Sequence, residues 1–243
     1  MMASDFDITR YLSANIKHMI YHGKTKKAVK KRWVVFQGNS NTRLFQLKLY
    51  KNDSERVLKT SYTLNSDNFV GTERGEIRKN NVTQSSYFAI VLKDDTVIFG
   101  LDIDNQGAVE GSTFDEWSSI FDDIFQSESW IVNPRRGIQT TEQYLSFHCT
   151  RSSFSVGLLD PPKCLRHWSI NEIADCRVEG DTLLLYLKDE TQETIELKCA
   201  EWEATNIRQI LLKTIRETRN PNVIGTFSDS EPAERYTRVP TSS

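Results

Sequence analysis

The stretch 165–187, LRHWSINEIADCRVEGDTLLLYL, decides the fold of this chain. Its apolar residues recur at close to every second position, which is typical of a β-strand with one buried face. A charged turn at 177–181 separates the first part from an uninterrupted apolar run at 183–187. A further strand pattern at 193–199 and an amphipathic helical pattern at 200–218 follow, and the predicted apolar face of this helix consists of Trp202, Ile207, Leu211, Thr214 and Ile215. The stretch therefore predicts an antiparallel sheet that is closed by a C-terminal helix.

The first half of the chain repeats this order of several strands and one helix. Strand patterns lie at 16–23, 32–36, 44–50, 57–64, 68–70, 87–92 and 96–101. After them the period changes, and apolar residues recur at spacings of three and four, which predicts a helix with one buried stripe. The stripe consists of Phe114, Trp117, Phe121, Ile124 and Phe125. Ser112 or Thr113 is the predicted N-cap.

These patterns predict the fold class and the domain boundaries. Residues 1–12 are predicted to form a leader, 13–129 a first domain, 130–220 a second domain, and the polar residues 221–243 a disordered tail. The segment 130–137 contains Pro and Gly, so we interpret it as a tight connection. We expect a mainly β protein with α-helices (α+β), in which each domain is a bent antiparallel sandwich or barrel closed by a helix.

Composition and charge limit the possible partners. A hydrophobic content of 38% with 26% charged residues is ordinary for a globular protein, and no apolar run is long enough to span a membrane. The N-terminal residues resemble neither a signal peptide nor a myristoylation site. Six of the ten residues 23–32 are basic, whereas 94–128 contains ten acidic residues and no basic ones. A focused basic turn favours an anionic surface over nucleic acid.

The chemistry of the side chains indicates a protein that is not an enzyme. The four cysteines are widely spaced, which predicts buried free thiols and neither a zinc site nor disulfides. His148 and His167 neighbour Cys149 and Trp168, but neighbours in a strand point to opposite faces, so neither pair forms a dyad. We find no phosphate-binding loop and no nucleophile elbow. We therefore expect no catalytic residues, no metal and no cofactor.

Two groups of motifs resemble known families. The segment 23–36, with its basic turn and the strand RWVVF, resembles the first hairpin of a pleckstrin-homology (PH) domain, and the helix with Trp117 resembles the helix that closes it. Segments 144–149, 154–158 and 165–173, with the last helix, resemble an insulin-receptor-substrate-type phosphotyrosine-binding (PTB) domain. The tandem order resembles the downstream-of-kinase (Dok) docking proteins and covers nearly all of 13–219.

The PH resemblance implies a phosphoinositide site on the basic hairpin. In lipid-binding PH domains, a Lys on the first strand and a Lys-x-Arg on the second converge on the lipid phosphates. Lys24, Lys30 and Arg32 match this motif, and Lys26 and Lys27 add charge beside them. Guanidinium and ammonium groups suit phosphate chemically. The alternative is a solvated charged hairpin that binds no lipid.

The PTB resemblance implies a peptide groove in which a target adds a strand along residues 170–176 and packs against the last helix. The groove residues are Ile170, Ile173, Ala174, Arg177, Ile207, Ile210 and Leu211. In the family two arginines hold the phosphate. The first position falls on Ala174 without gaps, or on Arg177 with a short insertion. The second falls near Asp189 and Glu190, which repel phosphate, so phosphotyrosine dependence is left open.

The resemblance implies a non-enzymatic intracellular adaptor at the inner face of the plasma membrane. Its PH domain would contact phosphoinositide, and its PTB-like domain would dock a receptor or kinase tail peptide of the Asn-Pro-x-Tyr type. One alternative is a lipid-recruited scaffold with a degenerate PTB domain that is used for internal packing or homodimerisation. Another alternative is a regulatory subunit of a kinase or other enzyme.

Overall fold

The structure is a computed structural model that describes residues 8–22, 25–79, 82–102, 114–188 and 194–219. The first half contains β1 (Thr9–His22), β2 (Thr25–Asn39), β3 (Leu44–Tyr50), β4 (Leu58–Leu64), β5 (Phe69–Lys79), β6 (Val82–Leu92), β7 (Thr96–Asp102) and α1 (Phe114–Phe125). The second half contains β8 (Glu128–Arg136), β9 (Leu145–Cys149), β10 (Ser153–Leu159), β11 (Pro162–Ser169), β12 (Ile173–Glu179), β13 (Thr182–Leu187), β14 (Thr194–Lys198) and α2 (Glu201–Arg219). We call β1–β7 with α1 the N-terminal unit, and β8–β14 with α2 the C-terminal unit.

The two units share one topology. The strand order is β4-β3-β2-β1-β7-β6-β5 in the first sheet and β11-β10-β9-β8-β14-β13-β12 in the second. In both, a four-strand meander is joined to a three-strand meander because the first strand pairs with the last. Most of the described residues lie in strands, which confirms the prediction of a mainly β protein with helices. Neither sheet closes into a barrel through its described strands.

The core of the N-terminal unit follows from the alternation seen in its sequence. In β3, Phe45, Leu47 and Leu49 are buried, and the residues between them are partly exposed. Helix α1 lays Trp117 and Phe121 on this face, both fully buried. The predicted helix and its stripe are therefore confirmed, whereas its predicted cap, Ser112 or Thr113, lies outside the described residues.

Aromatic rings fix how α1 sits on the sheet. The Trp117 ring meets Phe88 at 5.7 Å and Phe99 at 5.4 Å, in edge-to-face geometry. Phe125 stacks on Phe69 with the ring centroids 4.0 Å apart. Such pairs add stabilisation beyond the burial of apolar area.

Helix α2 covers the second sheet, with one correction to its predicted face. Ile207, Leu211 and Ile215 are buried as expected, but Trp202 is 66% exposed, so its placement on the apolar face is wrong. At ~3.6 residues per turn, Trp202 lies about 180° around the helix from Leu211. Ala204, which is on the same side as Leu211, takes the core position instead.

Two predicted boundaries differ from the observed strands. The supposed connection at 130–137 is largely strand β8, in which Trp130 and Val132 are buried in the core. Its Pro134 pairs opposite Leu197 beside a β-bulge in β8, where one step along β14 from Glu196 spans two steps along β8 from Arg136, and such an irregularity accommodates a residue without an N–H donor. Strand β1 already begins at Thr9, so residues 9–12 of the predicted leader belong to the sheet, and Leu12 lies in the core.

The two tryptophans provide a stability test. Trp117→Ala should lower the free energy of unfolding by about 3–5 kcal/mol, because a fully buried indole leaves a large cavity. Trp202→Ala should change it by less than about 0.5 kcal/mol, since its side chain faces solvent. Urea unfolding of both variants measures this, and an equal loss in the two would contradict the observed packing.

Candidate functional site

The β1–β2 hairpin carries the predicted lipid site. Arg32 pairs with Ile16, and Lys30 pairs with His18. Since side chains alternate along a strand, Lys30 and Arg32 lie on the same face of β2 as Val34 and Phe36, which enter the core. Lys30 is exposed and Arg32 is half-buried. The two cations therefore continue the inner face of the sheet past the edge of the core.

Two further residues of the predicted lipid site, Lys26 and Lys27, lie near the tip of the hairpin. Lys26 and Lys27 belong to β2, where their backbones pair with Tyr21 and Ile20 of β1. Lys24 lies outside the described residues. The register thus places the backbones of Lys26, Lys27, Lys30 and Arg32 on one strand of a long hairpin.

The predicted peptide groove lies between β12 and α2, but many of its side chains are core residues. Ile170, Ile173, Ile207 and Leu211 are all 0% exposed. Ile210 is half-buried, whereas Ala174 and Arg177 are exposed. Residues 170–172 form a 3₁₀ turn in which the Ser169 amide donates to Glu172 Oε1 at 2.9 Å, so an added strand could run only alongside β12 itself.

The outer edge of β12 is occupied by polar groups of the chain itself. β12 is the last strand in the described sheet, and its partner is β13. Arg208 Nε donates to the Cys176 carbonyl at 3.1 Å, and Arg219 donates to the Ile173 carbonyl at 3.1 Å. The Cys176 amide donates to Asp175 Oδ1 at 2.8 Å. A peptide strand would have to displace these contacts.

Arg177, the candidate phosphate ligand, is held locally. Its Nε donates to Asp175 Oδ2 at 2.7 Å, and its guanidinium lies 5.4 Å from the centre of the Tyr186 ring. Hydrogen bonds from Arg177 and from the Cys176 amide hold the pKa of Asp175 below its ordinary value. The second phosphate position, near Asp189 and Glu190, lies outside the described residues.

The two units pack against each other through the outer faces of their sheets. Tyr87 Oη of β6 donates to the Leu159 carbonyl at 3.0 Å. Ser152 Oγ donates to the Ser66 carbonyl at 2.7 Å. Val70, Val91 and Cys164 form a small apolar cluster across the contact. Strand β9 is buried along its whole length because one face covers its own core and the other meets the N-terminal unit.

His148 lies at the centre of this contact. Its side chain is 1% exposed, and its Nε2 lies 2.9 Å from Glu73 Oε1 of β5. Neither His148 Nε2 nor Glu73 Oε1 completes a hydrogen bond among the described residues. The carboxylate oxygen therefore does not lie along the direction of the ring N–H bond. The imidazole lies directly over Gly71, where an added Cβ would come within 2.3 Å of Nδ1. Only a residue without a side chain fits beneath this ring.

A polar cavity of about 310 Å³ opens beside the His148–Glu73 pair. In it, Asp122 of α1 accepts hydrogen bonds from Ser118 at 3.1 Å and from Ser127 at 2.7 Å. Burial raises the pKa of Asp122, although the two hydroxyls act against this. Burial likewise raises the pKa of Glu128. The hydrogen bond from Ser127 to Asp122 thereby connects the residue before β8 to the last turns of α1.

The cysteines are free, as predicted, and three of them are buried. Burial raises the pKa of the Cys149 and Cys176 thiols to about 12, so both stay protonated near neutral pH. Cys149 lies in the core of its own unit, whereas the neighbouring His148 faces the other unit, as strand alternation predicts. Within the described ranges, no three His, Cys, Asp or Glu side chains gather as metal ligands.

Comparison with known proteins identifies no relative. No protein-family model matches the sequence, and no curated protein matches it at a significant level.

The close approach of Gly71 and His148 generates a stability prediction. Gly71→Ala should lower the free energy of unfolding by about 1–3 kcal/mol, because its Cβ overlaps the imidazole. In a His148→Ala background the same substitution should have a much smaller effect. A double-mutant cycle by urea unfolding measures this difference.

Gly180→Ala is the matched control for this cycle. Gly180 has a φ of +60° in the β12–β13 turn, but an added Cβ there would meet nothing within 4 Å. Its substitution should destabilise the chain equally with and without His148. Equal effects of Gly71→Ala in the two backgrounds would show that the two units do not pack in this way.

Proposed function

We propose that the chain is a non-enzymatic intracellular adaptor built from two PH-superfold domains, recruited to anionic membrane by the first and docking a peptide through the second. PH and PTB domains share one fold, the PH superfold, and the repeated topology supports assigning both units to it. Each unit has four strands, then three strands, then one helix across the sheet. The helices that close the PH-like and PTB-like patterns, α1 and α2, are each the last element of their unit.

The position of the basic hairpin carries the membrane part of the proposal. Lys30 and Arg32 extend the inner face of β2 beyond the core, where their charges can approach a headgroup without losing packing. No helix in the described part of the chain is long and apolar enough to cross a membrane. The proposed membrane contact is through the folded surface of the hairpin.

Membrane recruitment is tested with vesicles. Lys30→Ala combined with Arg32→Ala should weaken partitioning onto phosphatidylcholine vesicles that contain a phosphoinositide by roughly 30-fold, since each cation near an anionic surface contributes about 1 kcal/mol. Pelleting of vesicles with and without phosphoinositide measures the change.

The matched control for this test removes two cations elsewhere. Arg135 and Lys213 are exposed on the C-terminal unit. Arg135→Ala combined with Lys213→Ala should leave partitioning unchanged. Equal losses in both double variants would mean that only net charge matters, and no phosphoinositide dependence in the wild type would refute the lipid site.

The capped edge of β12 favours a second candidate function, a scaffold whose C-terminal unit binds no peptide. Arg208 and Arg219 already bond to the carbonyls that an added strand would use. Core burial of Ile207 and Leu211 also removes them as peptide contacts in this conformation. In a scaffold, the unit would serve to pack against the N-terminal unit or a second copy.

Removing the Arg208 hydrogen bond from the β12 edge distinguishes peptide docking from the scaffold function. If the edge docks a peptide, Arg208→Ala should raise affinity for an Asn-Pro-x-Tyr peptide by roughly fivefold, because one competing hydrogen bond of about 1 kcal/mol is lost. Titration with phosphorylated and unphosphorylated peptides, repeated with Arg177→Ala, shows whether phosphate is needed. Binding of neither peptide by either protein would exclude docking at this edge and favour the scaffold.

A further inference from the structure

A second, larger cleft lies between the two units, on the side where their turns converge. It has a volume of about 620 Å³. The N-terminal unit contributes Arg43 from the β2–β3 turn and Lys93 from the β6–β7 turn. The C-terminal unit contributes Arg151 from the β9–β10 turn and His167 from β11. The cleft exists only because the units pack together, so neither unit forms it alone.

The three cations of this cleft have no described ion-pair partner, although three acidic residues, Asp67, Glu172 and Glu217, also line it. The side chains of Arg43, Lys93 and Arg151 form no ion pair or hydrogen bond with any described residue. Two of the three acidic groups in the lining are engaged. Glu172 accepts the Ser169 amide at 2.9 Å, and Glu217 faces Lys213 at 4.0 Å.

Two of the three cations also line a smaller pocket that adjoins the cleft. A small adjoining pocket of about 30 Å³ shares Arg43, Arg151, Ser66 and Ser152 with the cleft. None of the described residues that line this pocket is acidic. Arg43 and Arg151, one from each unit, therefore line this pocket together with Ser66 and Ser152 and with no acidic residue, although Asp67 follows Ser66 in the cleft wall.

We propose that this cleft binds a phosphate monoester, held between Arg43 of the N-terminal unit and Arg151 of the C-terminal unit. A guanidinium group donates two parallel hydrogen bonds to phosphate oxygens, which makes arginine well suited to this anion. Lys93 supplies a further positive charge from the cleft wall. The site is separate from the basic hairpin, and the ligand would join the two units.

His167 provides a reporter inside the cleft. Its Nδ1 lies 2.7 Å from Ser155 Oγ. Burial, together with the charge of Lys93, lowers the pKa of His167 against the opposing charges of Glu172, Asp67 and Asp94. The lowered pKa means that the neutral ring is favoured in the free protein. A phosphate bound beside Lys93 would offset that charge, so the pKa of His167 should rise when the ligand binds.

The test uses isothermal titration of the full chain with inorganic phosphate, O-phosphoserine, O-phosphotyrosine and inositol trisphosphate, at constant ionic strength. Arg43→Gln and Arg151→Gln should each weaken binding by roughly tenfold or more, as expected for losing a charged hydrogen-bond donor. Arg151→Lys should give an intermediate loss of affinity, because lysine keeps the positive charge but cannot donate two parallel hydrogen bonds. The probes distinguish a phosphorylated side chain from a lipid headgroup as the source of the phosphate.

Controls separate this site from the lipid site and from misfolding. Arg56→Gln and Arg135→Gln alter exposed arginines outside the cleft and should bind as the wild type does. Lys30→Ala with Arg32→Ala should keep O-phosphoserine binding, so the lipid proposal can fail without affecting this one. Far-UV circular dichroism verifies that each variant is folded.

An NMR pH titration of His167, one of four histidines in the chain, provides the second readout. Its pKa should rise with phosphate in the wild type and stay unchanged in Arg43→Gln and Arg151→Gln. Unaltered phosphate affinity in both glutamine variants would overturn the proposal. Absence of binding of every probe to the wild type would overturn it equally.

Discussion

Burial of β9 (Leu145–Cys149) on both faces is the constraint on which the arrangement of the molecule depends. Its inner face completes the core of the C-terminal unit, so its outer face, with Ser146 and His148, must be covered by something else. The N-terminal unit covers it, and Gly71 provides the space for the imidazole. Because β8 starts three residues after α1 ends, the connecting chain is also too short for the units to move far apart.

Local patterns predicted much of each unit but not how the units meet. The alternation in β3 and the stripe of α1 depend on neighbours in sequence, so they were recognisable. Strand β8 was misread because Pro134 and Gly137 are typical of a loop, and only its pairing with β14, which shows a β-bulge at Arg135, explains how a proline fits. Trp202 was placed on the apolar face because its side chain is apolar, although its position lies about 180° around the helix from Leu211. The outward His148 carried no local signal at all, since its partner Glu73 lies 75 residues earlier.

The same limit applies to the candidate sites. The basic hairpin was visible as a run of lysines, and the register then placed Lys30 and Arg32 on the inner strand face. The caps on the β12 edge come from α2, more than 30 residues later, and no pattern in β12 predicts them. If both proposed surfaces function, the rigid contact between the units sets their relative orientation. Two weak contacts held in fixed geometry then reinforce each other through effective concentration.

The packing of the two units is tested most directly by an NMR measurement on the intact chain. An ideal Cβ on Gly71 would lie 2.9 Å from His148 Cε1, so a Gly71 Hα should be close to the ring proton on that carbon. We expect a strong nuclear Overhauser effect between them and a single rotational correlation time for both units. Absence of this effect, together with different correlation times for the two units, would contradict the packing and with it the cleft between them.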